Sequence, residues 1–282
     1  MTTTPATPTA PIDVATPEVP GIPGTRPSPV RPRVPLSRVT RVELRKMVDT
    51  RSGFWLIASI AISAVLATAG VILWAADDEL TYSTFATAIR FPVVVILPLI
   101  AILAVTSEWS QRTGLTTFAL VPHRGRIIAA KAIAAVVVAV AAMVLTFAVG
   151  ALGNLLSAAL TGTELVWDVT VTQCAYYVLG MVLSMLVGFM LGVLIRSSTG
   201  AIVAYFVVTF VVPVAFGLLA ESQQWFRELQ PWVDIQFAQG GLFIYQGPLS
   251  GTQWAHIAVT GATSLLAPLV IGLGFVVRAE VK

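Results

Sequence analysis

The residues best placed to act together in this sequence form one charged stretch between two long apolar ones. Residues 108–131 read EWSQRTGLTTFALVPHRGRIIAAK, and they separate the apolar residues 91–107 from the apolar residues 132–156. Gly114 permits a sharp turn, and Pro122 interrupts any helix that passes through it. Between these two breaks the sequence predicts a short, separate helix.

This short helix, residues 115–121, would carry one apolar face. Leu115 and Phe118 fall on the same side of a helix that turns by about 100° per residue. A short amphipathic helix of this kind can dock in a groove of a soluble protein. The alternative is an ordinary loop whose basic residues, such as Arg124, only mark one side of a membrane.

The segments around this stretch are those of an integral membrane protein. Hydrophobic residues make up 56% of the 282 and charged residues 11%, against about 25% charged in an average soluble domain. A helix needs about 20 mostly apolar residues to cross a bilayer, and six segments approach that length. The expected fold is all-α and polytopic, with six transmembrane helices. They are predicted at residues 53–75, 91–107, 132–156, 174–195, 200–220 and 257–277.

The distribution of basic residues predicts the orientation of these helices. Fifteen of the seventeen Lys and Arg lie in the N-terminal segment, in the 108–131 loop, at Arg196 or at the C-terminal end, and only Arg90 and Arg227 do not. The positive-inside rule then puts both termini in the cytoplasm, as expected for a multi-pass protein of the plasma membrane. The net charge of +3 follows from this asymmetry, so we expect no nucleic-acid binding.

The sequence lacks the motifs of several classes of nucleotide-binding, hydrolytic and metal sites. It contains no G-x-x-x-x-G-K-[ST] loop for nucleotide phosphates, and no G-x-S-x-G or H-E-x-x-H motif for hydrolysis. His123 and His256 are predicted on opposite sides of the membrane, and Cys174 is the single cysteine. We therefore expect no enzyme activity, no bound cofactor and no metal site in this chain.

The N-terminal residues divide into a tail and a helix. Residues 1–35 hold ten of the seventeen prolines and many threonines, which predicts a disordered cytoplasmic tail. Over residues 36–52 apolar residues repeat on one helical arc, while Arg38, Arg41 and Arg45 fall on the opposite arc. Such an amphipathic helix lies in the membrane interface, where the arginines can bind anionic lipid headgroups. A solvated juxtamembrane helix is the alternative.

Small residues recur every four positions in the fourth apolar segment. On a helix they form one smooth stripe that lets another helix approach closely. That second helix would belong either to the same subunit or to a second copy of it. The residues of the stripe are Gly180, Ser184, Gly188 and Gly192.

Two further features bear on the shape of the predicted bundle. Prolines at 98, 213 and 268 lie inside the second, fifth and sixth segments and predict kinks there. The long outer loop, residues 221–256, includes the aromatic run ESQQWFRELQPW, so it is expected to rest on or dip into the outer leaflet. There it would shape the exit of a pathway.

The six segments, as delimited, contain no Asp, Glu, Lys, Arg or His. A transporter driven by an ion gradient usually keeps an ionisable group at membrane depth, although carbonyl and hydroxyl groups can also hold sodium. If this protein moves a solute uphill, we therefore expect the energy to come from a partner.

The charged stretch also resembles a known motif. The residues that carry the likeness are Ser107-Glu108, Arg112-Thr113-Gly114-Leu115, Leu120-Val121-Pro122-His123-Arg124 and Lys131. They are similar to the motif after the second helix in the type-2 permease family of ATP-binding-cassette exporters. The run LIRSSTGAIVAYF at 194–206 resembles that family's link between the fourth and fifth helices. His123 departs from the pattern, where Ser is commoner, and the likeness extends over residues 36–282.

The resemblance implies a half-transporter. Two permease copies, identical or homologous, would bind two cytoplasmic ATPase subunits, and those subunits would hold the ATP and magnesium. Residues 113–122 would be the coupling helix, while Glu108 and Arg112 would join a polar network near the entry helix. The coupling residues that it implies are Glu108, Arg112, Gly114, Leu115, Phe118, Pro122 and Arg124.

Two other classes of function stay open. The chain could be a passive or ion-gradient-driven transporter, or a membrane anchor or scaffold that transports nothing. The substrate is not indicated, because segments rich in Ala, Val, Leu, Phe, Ser and Thr suit hydrophobic drugs, lipids and peptides alike.

Overall fold

The structure is a computed structural model, and it describes residues 35–110, 124–244 and 247–278. Most of these residues lie in nine helices. The sixth and the ninth each consist of three consecutive parts. We number them α1 (Leu36–Asp49), α2 (Arg51–Trp74), α3 (Tyr82–Ser110), α4 (Arg124–Thr161), α5 (Val171–Ile195), α6 (Ser198–Ser222), α7 (Gln224–Val233), α8 (Ile235–Ile244) and α9 (residues 251–278).

Among the described residues, six helices are long and apolar enough to cross a membrane, as the sequence predicted. They are α2 to α6 and α9, and the helical form satisfies most backbone hydrogen bonds internally, which the hydrocarbon layer requires. The prediction of an all-helical protein with six spanning helices is thus confirmed. The predicted tail at residues 1–34 lies outside the described residues.

Two of these helices begin eight or nine residues before the apolar segments that predicted them. The helix α3 begins at Tyr82 rather than near Phe91, and α4 begins at Arg124 rather than near Ala132. The hydropathy limits were too short because a helix continues past a charged residue whose long side chain reaches a partner on another helix. As a result Arg90 and Lys131 lie within helices of spanning length.

The helix α5 is the most buried spanning helix, and α6 is the least buried. The side chains of Met181, Met185 and Phe189 on α5 are almost fully buried against α3, where Ile89 and Leu97 are buried too. The core therefore forms where α3, α4 and α5 meet, and most of α6 lies outside it.

The loop between α4 and α5 is fastened to the start of α3. Asp168 accepts hydrogen bonds from the Ser83 backbone N–H (2.8 Å) and from Ser83 Oγ (2.5 Å). Burial raises the pKa of Asp168, but these hydrogen bonds outweigh it and hold that pKa below its usual value. The Tyr82 N–H also donates to the Val166 carbonyl at 3.2 Å, so the loop satisfies free N–H groups of the helix end.

Wide turns precede two of the prolines that predicted kinks. Residues Val207–Val211 in α6 and Gly261–Leu266 in α9 form π-helical turns, ahead of Pro213 and Pro268. A proline has no N–H and its ring clashes with the carbonyl four residues earlier. The wider i to i+5 turn separates these groups, which is a recognised way for a helix to accommodate the break.

Candidate functional site

A salt bridge is buried where α1, α3 and α4 meet. Lys131 on α4 places its Nζ 2.5 Å from Glu43 Oε2 on α1, and the two residues are 4% and 3% exposed. The same Nζ donates to the Ala104 carbonyl of α3 at 3.1 Å. Three separate helices are thus joined at one ammonium group.

Glu43 is held by a second cation from its own helix. Lys46, three residues later and half-exposed, places its Nζ 2.8 Å from Glu43 Oε1. Each carboxylate oxygen of Glu43 therefore accepts a charge-assisted hydrogen bond, so its charge is compensated despite its burial. Removal of one partner from such a pair typically costs about 3–5 kcal/mol, because the other charge stays buried without compensation.

The turn between α1 and α2 determines how Glu43 approaches α4. Thr50 ends α1 and accepts a hydrogen bond from the Gly53 N–H at 3.1 Å, which caps α2. A Cβ at position 53 would lie 1.8 Å from the Met47 carbonyl oxygen, so only glycine allows this tight junction. Glu43 and Met47, four residues apart, then form the buried face of α1.

A pair of hydroxyl groups links α3 to α6 close to the salt bridge. Thr106 Oγ1 lies 2.7 Å from Ser198 Oγ and also donates to the Ile102 carbonyl at 2.8 Å. Ser198 begins α6 directly after a turn at Arg196, which has a left-handed φ of 58°. The end of α3 is therefore joined to α4 by Lys131 and to α6 by Thr106.

The predicted coupling residues lie on the chain between these joined helices. Glu108 is in the last turn of α3, and Arg124 is the first residue of α4. The other five predicted coupling residues lie outside the described residues: Arg112, Gly114, Leu115, Phe118 and Pro122. Their role stays a prediction, and the structure describes the helices on either side of them.

The predicted interface arginines are exposed on α1. Arg38, Arg41 and Arg45 all lie on the surface, and Arg45 forms an exposed salt bridge of 2.9 Å with Asp49. Exposed pairs of this kind contribute little stability, about 0–1 kcal/mol. The position of this helix at a membrane surface stays a prediction.

The small-residue stripe of α5 packs within this chain at three described positions. A Cβ at Gly188 would lie 2.7 Å from the Pro98 carbonyl oxygen of α3, and one at Gly192 would lie 3.3 Å from Val105 of the same helix. A Cβ at Gly180 would lie 2.3 Å from the Phe243 ring of α8. The fourth member, Ser184, is also buried. The stripe thus lets α3 and α8 approach α5 closely.

The predicted outer loop folds into α7 and α8, and an open cleft of about 500 Å³ lies beside them. Asp234 caps α8 by accepting from the N–H groups of Gln236 and Phe237, and Gln230 donates to its other oxygen. The lining residues are Thr209, Pro213, Gly217, Ala220, Glu221, Arg227, Gln230, Asp234, Gln236 and Phe237. This cleft is lined by both polar and apolar side chains.

Two residues of the site were missed by the sequence interpretation. Glu43 was left off both arcs of the entry helix, although it falls at the centre of the arc that contains Leu36, Val39 and Met47. A carboxylate in the middle of an apolar face signals a buried partner. Lys131 was named only as a member of the family motif, with no partner, and the structure places it against Glu43.

Comparison with known proteins does not identify the chain. No protein-family model matches it, and no curated protein matches it. The function must therefore be inferred from its own residues and from the geometry around Glu43 and Lys131.

Proposed function

We propose that this chain is the permease subunit of an ATP-driven exporter in the plasma membrane. It would form the translocation path as a homodimer or heterodimer, with two separate ATPase subunits bound at its cytoplasmic end. The observation that carries the proposal is the buried pair of Glu43 and Lys131, together with the bond from Lys131 to the Ala104 carbonyl.

This pair would transmit a force applied at one cytoplasmic segment to several helices. The two helices that it joins to α1 are α3 and α4, which flank residues 111–123. A force applied to that segment would bend a single helix if the helices were independent. Because a buried, compensated ion pair is costly to separate, α1, α3 and α4 would move as one body.

The sequence motif supports the same proposal. Residues 107–131 resemble the coupling segment of type-2 permeases, and the predicted apolar face of Leu115 and Phe118 suits a groove on a soluble partner. ATP binding would draw two ATPases together, and the permeases would then change between inward-facing and outward-facing states. Each state would be favoured by its own contacts with the ATPases.

The buried pair also favours a second candidate, transport driven by a proton gradient. Transporters driven by an ion gradient usually keep an ionisable group within the protein to bind the coupling ion. Lys131, however, is only seven residues into α4, or roughly 10 Å from its start, and ion-coupled transporters usually bind near the midplane. The first candidate therefore accounts better for where the pair lies.

The substitution Phe118→Asp tests the first candidate. A charge placed on the docking face would be desolvated on binding, so we expect about tenfold less ATPase to co-purify with the variant from native membranes. The measurement is the amount of a co-purifying protein with nucleotide-binding motifs, and its magnesium-dependent ATP hydrolysis. Thr116→Asp is the control, because position 116 falls on the opposite side of the predicted helix.

Equal recovery of the ATPase with both variants would contradict this function for residues 113–122. The second candidate has its own readout, because it predicts uphill transport by the purified chain in liposomes without nucleotide. That result would replace the first proposal with the second.

A further inference from the structure

Arg90 lies among aromatic rings of two other helices. Its guanidinium carbon is 4.4 Å from the centre of the Phe243 ring on α8 and 5.7 Å from the centre of the Tyr177 ring on α5. The two rings are roughly parallel, with centres 6.1 Å apart. A cation beside such faces is attracted by their electron density, so α3, α5 and α8 meet at one positive charge.

The rings compensate the charge of Arg90 but leave its hydrogen-bond donors unused. In the part of the chain that the structure describes, no carboxylate pairs with Arg90, and its buried Nε has no hydrogen-bond partner. A guanidinium has five N–H donors in a planar fork. An arginine inside a helix of spanning length is costly unless an anion or a polar group takes up these donors.

Arg90 lies near the start of a helix that is long enough to cross a membrane. It is eight residues from the start of α3, or roughly 12 Å along the helix, and α3 is longer than the apolar layer is thick. An arginine side chain at this depth reaches the boundary between acyl chains and headgroups. The abundant anionic group at that boundary is the phosphate of a phospholipid.

The residues around Arg90 are closely packed and include a buried polar side chain. Gly180 lets the Phe243 ring approach α5, because a Cβ there would lie 2.3 Å from the ring. Gln239 is one turn before Phe243 on the same face of α8, and it is only 2% exposed. Within the described ranges, neither its Oε1 nor its Nε2 has a hydrogen-bond partner. A buried amide without partners is rare and calls for an explanation.

We infer that Arg90, held between Tyr177 and Phe243, binds a phosphate group, and that the Gln239 amide, one helical turn from Phe243, is a second donor. The guanidinium fork matches two phosphate oxygens, and the aromatic rings hold the guanidinium in place while offering apolar surface to an acyl chain. The phosphate belongs either to a phospholipid headgroup or to free inorganic phosphate. This inference is independent of whether the chain is a permease.

Binding to the purified full-length chain in detergent and phosphate-free buffer tests the inference. The probes are dihexanoyl phosphatidylglycerol, inorganic phosphate and dihexanoyl glycerol, which lacks a phosphate. We expect the phosphatidylglycerol to bind wild type, and to bind Arg90→Gln about tenfold more weakly, because a charge-assisted contact is lost. Arg227→Gln is the control, since it removes the other arginine predicted on the same side.

The three probes distinguish the sources of the phosphate. Binding of inorganic phosphate with the same dependence on Arg90 supports the site and identifies a soluble anion as its ligand. Binding of phosphatidylglycerol alone supports the site and identifies a lipid. Equal binding of the neutral glyceride, no binding to wild type, or equal losses in Arg90→Gln and Arg227→Gln would overturn the inference.

Two further measurements apply if Arg90→Gln fails to fold. Arg90→Lys keeps the positive charge and should retain part of the affinity, because lysine binds phosphate as a point charge without the fork. In wild type, a photoactivatable phosphatidylglycerol should label peptides from residues 235–244 of α8. Labelling spread evenly over the exposed surface of α6 and absent from α8 would contradict the site.

Discussion

At the scale of single residues, the buried pair of Glu43 and Lys131 differs sharply from the exposed pair of Arg45 and Asp49 on the same helix. The first pair is almost inaccessible, whereas the side chains of the second are 82% and 60% exposed. Solvent screens the exposed pair, so its loss should hardly matter. The buried pair is hardly screened by solvent, so loss of one member removes a charge-assisted contact that water cannot replace.

Glu43→Gln and Lys131→Met should each lower the melting temperature by about 3 °C or more, since a hydrogen bond between charged groups contributes about 1.5–3 kcal/mol to the stability. The double substitution should lose less than the sum of the two, because both single substitutions remove the same contact. Thermal unfolding of the purified variants in detergent measures all three. Arg45→Gln is the control with little expected change, and a fully additive double variant would show that the two residues do not interact.

Asp168 makes the stability of the folded protein depend on pH. Its pKa is lowered in the folded protein, so its contribution is fully present above the unfolded value of about 3.9 and is lost as pH falls through the lower folded value. Asp168→Asn should therefore be less stable than wild type at pH 7, by roughly 1 kcal/mol after discounting for solvent exposure, and the difference should shrink below about pH 4.

Thermal unfolding as a function of pH measures this difference. Glu164→Gln is the matched control, because this residue lies in the same loop and its carboxylate makes no described hydrogen bond. A difference between Asp168→Asn and wild type that stayed constant from pH 7 to pH 3 would contradict the role of the carboxylate.

At the scale of helices, the glycines of α5 determine how closely α3 can approach. Gly188→Ala should destabilise the protein by about 1–3 kcal/mol, because its Cβ would meet the Pro98 backbone, which cannot rotate away. Gly217→Ala on α6 is the control, since nothing lies within 4 Å of its Cβ and alanine favours a helix. Melting temperatures of the two variants give the comparison, and equal values would show that the stripe tolerates a larger residue.

The helices themselves were largely predictable, and their ends were not. Lipid offers no hydrogen-bond partners, so a long apolar run must be helical, and all six were found this way. The ends of α3 and α4 depend on tertiary partners of Arg90 and Lys131, which hydropathy does not contain. Glu43 could have been found from the sequence, because its place on the apolar arc of α1 follows from helical spacing alone.

At the scale of the whole molecule, the described helices form a bundle in which α5 is central and α6 is peripheral. The sequence could not predict this arrangement, since all the spanning segments are similarly apolar. Their composition does not show which helix packs against which. The stripe on α5 indicated a close neighbour without identifying it. The contacts of that stripe with α3 and α8 became visible only in the structure.

The π-helical turns of α6 and α9 have a consequence for the comparison of related sequences. Such a turn holds about one residue more than an α-helical turn, so every side chain beyond it is rotated by roughly 100° relative to an uninterrupted helix. A relative without the turn would need one residue fewer near 207–211 to keep the same surface. An alignment that forbids a gap inside α6 would therefore match residues from different sides of the helix, and would misassign every position up to Ser222.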